Sequence, residues 1–145
     1  ELARGGQVYY LHNRVDNIEA CAAHVSKLVP GARIGIAHGK MTEEELNPVW
    51  QHLLNGEIDI LVATDVAARG IDVSDIQVVF NYDIPQENDA YLHRIGRTGR
   101  AKKEGISFVL HSKDEQKRLD NIIHYTRSHI IALEMDGWGV FAPKK

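Results

Sequence analysis

Hydrophobic positions along the chain fall into two alternating rhythms. Gln7 to Leu11 is a short aromatic and β-branched run, and behind it Val15, Ile18, Ala22, Val25 and Val29 recur at helical spacing until Pro30-Gly31. This predicts a strand followed by a helix. Ala32 to Ala37 reads as a second strand, and Thr42 with Glu45 three residues on has the spacing of a capping box. Asn47-Pro48 then leaves two readings open: a helix from Thr42 that kinks, or a second start capped by Asn47 with Pro48 in its first position. Ile58 to Ala63 and Ile76 to Asn81 are nearly continuous apolar runs, the pattern of strands buried on both faces of a parallel sheet. Gln86 to Ile95 predicts a helix and Gly105 to Leu110 a strand. Ser112 with Glu115 predicts a second capping box, opening a helix to about Ser128. Strand and helix alternate, so the expected fold is α/β: a mainly parallel sheet with helices on both faces and ligands at the carboxyl ends of the strands. Ile130 to Lys145 has no clear period and reads as a packed extension fading into a tail.

Composition narrows this picture. The 145 residues suffice for one hydrophobic core, giving one domain over 1–130 and an extension over 131–145. Seventeen Lys and Arg against twenty Asp and Glu leave a net charge of -3, which excludes a generally basic coat for nucleic acid and requires any such contact to be local. Cys21 is the single cysteine, so the chain can form no internal disulfide, as suits a reducing compartment. With no apolar run of membrane-spanning length and no signal-peptide pattern, the expected location is cytoplasmic, with no membrane partner.

The common nucleotide and metal signatures do not fit. Gly35 to Met41 comes nearest to a phosphate-binding loop, yet it is one residue short and ends in Met41 where a magnesium-binding hydroxyl is needed. The eight histidines show no metal-ligand spacing. Charge does concentrate between Tyr91 and Lys103, where Arg94, Arg97, Arg100, Lys102 and Lys103 occur without an acidic residue. Arg97 and Arg100 stand three apart beside Gly96 and Gly99, so two guanidinium forks can converge on one anion, a polyphosphate being the natural target. A basic helix end answering its own dipole would explain such a stretch by itself. Interruption by glycines and a position after a parallel-sheet strand favour the ligand. The second constellation, Ala63 to Asp72, follows a buried strand: Thr64-Asp65 can offer a hydroxyl and amides to phosphate, Arg69-Gly70 a cation and a joint, and Asp72 an acceptor for sugar hydroxyls. Helix and turn capping by Thr64, Asp65 and Asp72 is the alternative.

Ala-Thr-Asp-Val-Ala-Ala-Arg-Gly-Ile-Asp72 and His93-Arg-Ile-Gly-Arg-Thr-Gly-Arg100 together resemble the fifth and sixth motifs of superfamily 2 helicases, in wording close to the DEAD-box RNA helicases. With Tyr82 to Pro85 and Tyr91, the likeness spans about residues 63 to 110. Gly5 to Asn13, Val29 to Ile34 and His38 to Met41 instead resemble the equivalent domain of the transcription-repair coupling translocase and of RecG-type helicases, which move on double-stranded DNA. Such halves fit either a divergent member or an engineered chimera. The resemblance implies a RecA-like three-layer sandwich, the C-terminal one of two motor domains. It implies that Arg97 and Arg100 reach the γ-phosphate of ATP, which is held with magnesium mainly by a separate N-terminal RecA-like domain. Asp72 would meet the ribose, and His93 would join the network linking the two domains at the nucleotide. Thr64, Arg69, Gly70, His38 and Gly39 would lie along the nucleic-acid backbone. DEAD-box proteins usually follow that His-Gly with Gln and Arg, where this chain has Glu43 and Leu46. Single-stranded RNA is the favoured polymer because the motifs supply the contacting atoms, with double-stranded DNA or a non-catalytic binding module as the alternatives. Lacking a P-loop and an acidic magnesium motif, the chain is expected not to hydrolyse ATP alone.

Overall fold

A computed structural model describes residues 1–70, 76–99, 103–136 and 140–143, with backbone only from 134 onward. It comprises two compact units, Glu1–Asp72 and Val73–Lys145.

The first unit holds three parallel strands, β1 (Val8–Leu11), β2 (Ile34–Ala37) and β3 (Ile60–Ala63), in the order β1-β3-β2. Helix α1 (Ile18–Leu28) connects β1 to β2, α2 (Glu43–Leu54) connects β2 to β3, and the short α3 (Asp65–Arg69) follows β3. Every residue of β3 is buried, and its side chains alternate between two cores. Ile60 and Val62 pack with Ile18, Ala22 and Val25 of α1; Leu61 and Ala63 pack with Leu53 of α2 and Ala67 of α3. The central strand is thus covered on both faces, as its unbroken apolar run predicts. Trp50 joins the α2 side and half-buried Cys21 the α1 side.

Of the two readings at Pro48, the structure takes the start at Thr42. There the Thr42 N–H donates to Glu45 Oε2 at 2.8 Å and the Glu45 N–H to Thr42 Oγ1 at 3.3 Å, and the helix runs through Pro48 to Leu54. Proline forfeits one amide there, yet Leu46, Val49, Trp50 and Leu53 still make one apolar stripe that holds the helix to the sheet.

In the second unit, β4 (Val78–Asn81) and β5 (Ile106–Val109) pair in parallel, with α4 (Asn88–Ile95) between them and α5 (Gln116–Thr126) after them. Its core is Ile84, Tyr91, Leu119 and Ile122, with Val109 packed alongside. Here the expectation of a strand buried on both faces is corrected. Asn81 is buried toward the helices, whereas Phe80 is 62% exposed and stacks on Phe108 at 4.9 Å between ring centroids. Ser112 and Glu115 form the predicted box around a single 3-10 turn, and α5 begins at the next residue. The expected irregular tail instead contains an antiparallel pair, β6 (Leu133–Asp136) and β7 (Val140–Pro143). Leu-Glu-Met-Asp does alternate apolar and polar, but four residues are too few for the period to stand out. Trp138 lies outside the described residues. Among the described residues, no helix is long and apolar enough to cross a membrane.

Candidate functional site

In the first unit the candidate residues gather at the carboxyl edge of the sheet. Thr64, one residue past β3 and 5% exposed, donates its N–H to the Ala37 carbonyl of β2 at 3.1 Å. Its Oγ1 accepts from the Ala67 N–H at 3.4 Å, so Thr64 caps α3, as the capping alternative has it. Capping uses an oxygen lone pair and leaves the hydroxyl proton as a donor. On the other side of β3, the ladder continues one residue past β1, where the His12 N–H donates to the Ala63 carbonyl at 2.8 Å. Asn13 then bonds twice to Asp65: its Oδ1 accepts from the Asp65 N–H and its Nδ2 donates to Asp65 Oδ2, both at 2.8 Å. His12 Nε2 lies 2.7 Å from Asn17 Oδ1.

His38 and Gly39, one and two residues past β2, are brought to the same edge. A Cβ on Gly39 would stand 3.2 Å from Cγ1 of Val66, so this turn lies against the first turn of α3. The His38 carbonyl accepts from the Met41 N–H at 3.0 Å, while its buried Nδ1 has no hydrogen-bond partner among the described residues. Arg69 and Gly70 are exposed at the other end of α3. Asp72 lies outside the described residues.

In the second unit, β4 leads into Tyr82, which is 83% exposed, and then to Asp83 and Pro85 before α4. Three ties set the position of α4. Arg94 Nη1 donates to the Asp83 carboxylate at 2.8 Å and to its carbonyl at 3.1 Å. Arg118 of α5 donates through Nε to the Pro85 carbonyl at 3.0 Å and through Nη1 to Asn88 Oδ1 at 2.7 Å. Tyr125 donates to Asp89 Oδ1 at 3.1 Å, and this carboxylate pushes the phenol pKa up. Past α4, Thr98 bridges Ile76, its hydroxyl donating to the Ile76 carbonyl. Gly99 turns with φ of 67°, a left-handed conformation that favours glycine. Between these fixed points Arg97 is half-buried, and no partner is assigned to its guanidinium among the described residues. His93 is exposed on α4, and Arg100 lies outside the described residues.

Among the described residues, Arg94 and Arg118 are therefore engaged within the chain and Arg97 is available to an anion. The phosphate-loop look-alike has another explanation: Gly35 sits inside β2, and a Cβ there would come within 2.6 Å of Ile58 Cδ1. That glycine serves close packing and offers no cradle. Among the described residues, no three His, Cys, Asp or Glu side chains gather to hold a metal. Sequence reasoning assigned no role to Asn13 or Arg118. Their partners lie 52 and about 30 residues away, so no local spacing could have identified them.

The helicase conserved C-terminal domain profile matches residues 1–102. The chain belongs to that family. Over 133 residues it is 39% identical to the transcription-repair-coupling factor of Bacillus subtilis, covering 87% of this chain and 11% of that protein. Over 97 residues it is 45% identical to the ATP-dependent RNA helicase CshA of Limosilactobacillus reuteri, covering 67% of this chain and 20% of that protein. The chain thus spans a fifth or less of these two relatives. Their matched stretches must overlap, so neither likeness is confined to one half. A DEAD box protein from Methanococcus jannaschii superposes with a TM-score of 0.67 at 33% identity, covering 84% of this chain and 33% of that one. Domain 2 of the DEAD-box helicase Mss116p, solved bound to an RNA duplex, gives 0.65 at 29% identity, covering 85% and 48%. The fold is the RecA-like α/β fold of superfamily 2 helicase C-terminal domains.

Proposed function

We propose that this chain is the second motor domain of an ATP-dependent helicase acting on RNA, with the domain over residues 1–130 and an extension over 131–145. One observation carries the reading: Arg97 follows α4 in a loop whose ends are tied, yet its guanidinium has no partner among the described residues, while Arg94 and Arg118 are both bound within the chain through their side chains. A positioned, unpaired guanidinium suits a phosphate supplied from outside. Arg97, with Arg100, stabilises charge developing on the γ-phosphate of ATP, which together with magnesium is held mainly by the N-terminal RecA-like domain. Such a finger is worth roughly 10³ to 10⁵ in rate and acts only when the domains close. Asp72 serves the ribose and His93 the link between domains. Thr64, Arg69, Gly70, His38 and Gly39 hold the nucleic-acid backbone, a sequence-independent grip that hydrolysis releases.

Magnesium-bound ATP supplies the phosphoryl transfer that drives this cycle; the chain's own residues orient and neutralise it. Alone, the chain does not hydrolyse ATP. The RNA preference draws on the likeness to CshA and on that to Mss116p domain 2, which was solved on an RNA duplex. Double-stranded DNA is the second reading, favoured by the coupling-factor likeness over 87% of the chain. The arginine assignment is tested by joining this chain to an N-terminal P-loop domain and comparing Arg97→Ala with the parent. Turnover should fall at least about 10³-fold with the fold intact by circular dichroism, and near-normal turnover would refute the assignment.

A further inference from the structure

We infer that Asn13 is a positioning residue for the backbone-gripping turn, acting through Asp65 on Thr64. The inference rests on the reading that Thr64 contacts nucleic acid. Thr64 lies between two amides that are held from opposite sides of β3. Its own N–H is bound by the Ala37 carbonyl at the end of β2, and the next N–H, that of Asp65, is bound by Asn13 just past the end of β1. The strands flanking β3 thus clamp the turn at successive residues, and the Thr64 hydroxyl is set between the clamps.

The chemistry of residue 13 is specific. A carboxamide offers one acceptor and one donor side by side, matching the N–H and the carboxylate of a single residue, and Asn13 uses both on Asp65 at 2.8 Å. Asn13 is exposed, so water could satisfy its side chain without cost; its double engagement with a residue 52 positions away fixes geometry rather than filling a core. An alanine at this position releases the Asp65 amide. An aspartate there opposes two carboxylates. Exchanging the two residue types restores a matched pair, because a carboxylate at position 13 accepts from both the amide and the carboxamide of position 65.

The test uses the full chain and a fluorescein-labelled oligouridylate at fixed low salt, read by anisotropy, with exchange of the Asp65, Ala67 and Ala68 amides followed by NMR. Asn13→Ala should weaken binding about fivefold and speed exchange at the Asp65 amide. Asn13→Asp should do at least as much. Asn13→Asp combined with Asp65→Asn, which leaves net charge unchanged, should recover both binding and protection. A general loss of stability predicts no such recovery. Unchanged binding and protection in Asn13→Ala would overturn the inference, as would failure of the exchanged pair to recover either one. If the parent chain binds no RNA, the proposed polymer contact fails, and the amide exchange still decides whether Asn13 holds the turn.

Discussion

Strands β3 and β4 carry nearly the same sequence pattern and end in different surroundings. Ile-Leu-Val-Ala and Val-Val-Phe-Asn are both continuous apolar runs, yet β3 is buried throughout while Val78 and Phe80 of β4 are exposed. The first unit brings α1 to one face of its sheet and α2 with α3 to the other. In the second unit Tyr91 of α4 and Leu119 and Ile122 of α5 share one core, on the face to which Asn81 and Val109 belong. An apolar run shows that a strand can be covered twice, and the helices beside it decide whether it is. The two candidate sites differ in a parallel way. The Thr64 turn is bonded at each step, while the Arg97 guanidinium, between tied ends, has no partner among the described residues.

The sharpest test of the packing contrast is a pair of truncations. Leu61→Ala removes a side chain that is 0% exposed and should cost about 3 kcal/mol in urea unfolding. Phe80→Ala loses a stacking partner from a largely exposed site and should cost about 1 kcal/mol or less. Equal costs would mean that the two strands are covered alike.

A smaller effect separates the floor of the first unit from the edge that carries its candidate site. At the start of β2 and β3, Arg33 donates to Asp59 through Nε at 3.0 Å and Nη2 at 2.7 Å, and its backbone N–H donates to the same carboxylate at 2.8 Å. These bonds hold the Asp59 pKa at about 2 against an ordinary value of 3.8. A depressed pKa gives stability that is present above about pH 4 and is lost as pH falls from about 4 to 2. Asp59→Asn should therefore flatten acid unfolding in that window while lowering the neutral-pH melting temperature by a few degrees. An unchanged acid limb would show that the pair adds nothing. Because it lies at the opposite end of the strands from Thr64, RNA binding should not change.

Local chemistry made much of this legible in the sequence. Thr42 with Glu45 and Ser112 with Glu115 act over three residues, and both boxes form. β1, β2, β3 and β5 fall within the runs predicted for them because each run is bounded by a turn or a polar start. The candidate site reads in the sequence as two strings, one at the end of β3 and one spanning α4 and the loop after it. What holds those strings in place was not. Asn13 meets Asp65, and Arg118 meets Pro85 and Asn88, across folded topology that no spacing encodes. Arg94 looked like one more cation in a basic run until its bonds to Asp83 set it apart from Arg97.

The central claim, that this is one half of a two-domain motor, is tested most directly by ATP turnover at fixed salt. The chain alone, an N-terminal P-loop domain alone and the two joined would be compared without nucleic acid, with single-stranded RNA and with double-stranded DNA. The account predicts no turnover by the chain alone and RNA-stimulated turnover only in the joined protein. Turnover by the isolated chain, or a joined protein no faster than the P-loop domain alone, would contradict it.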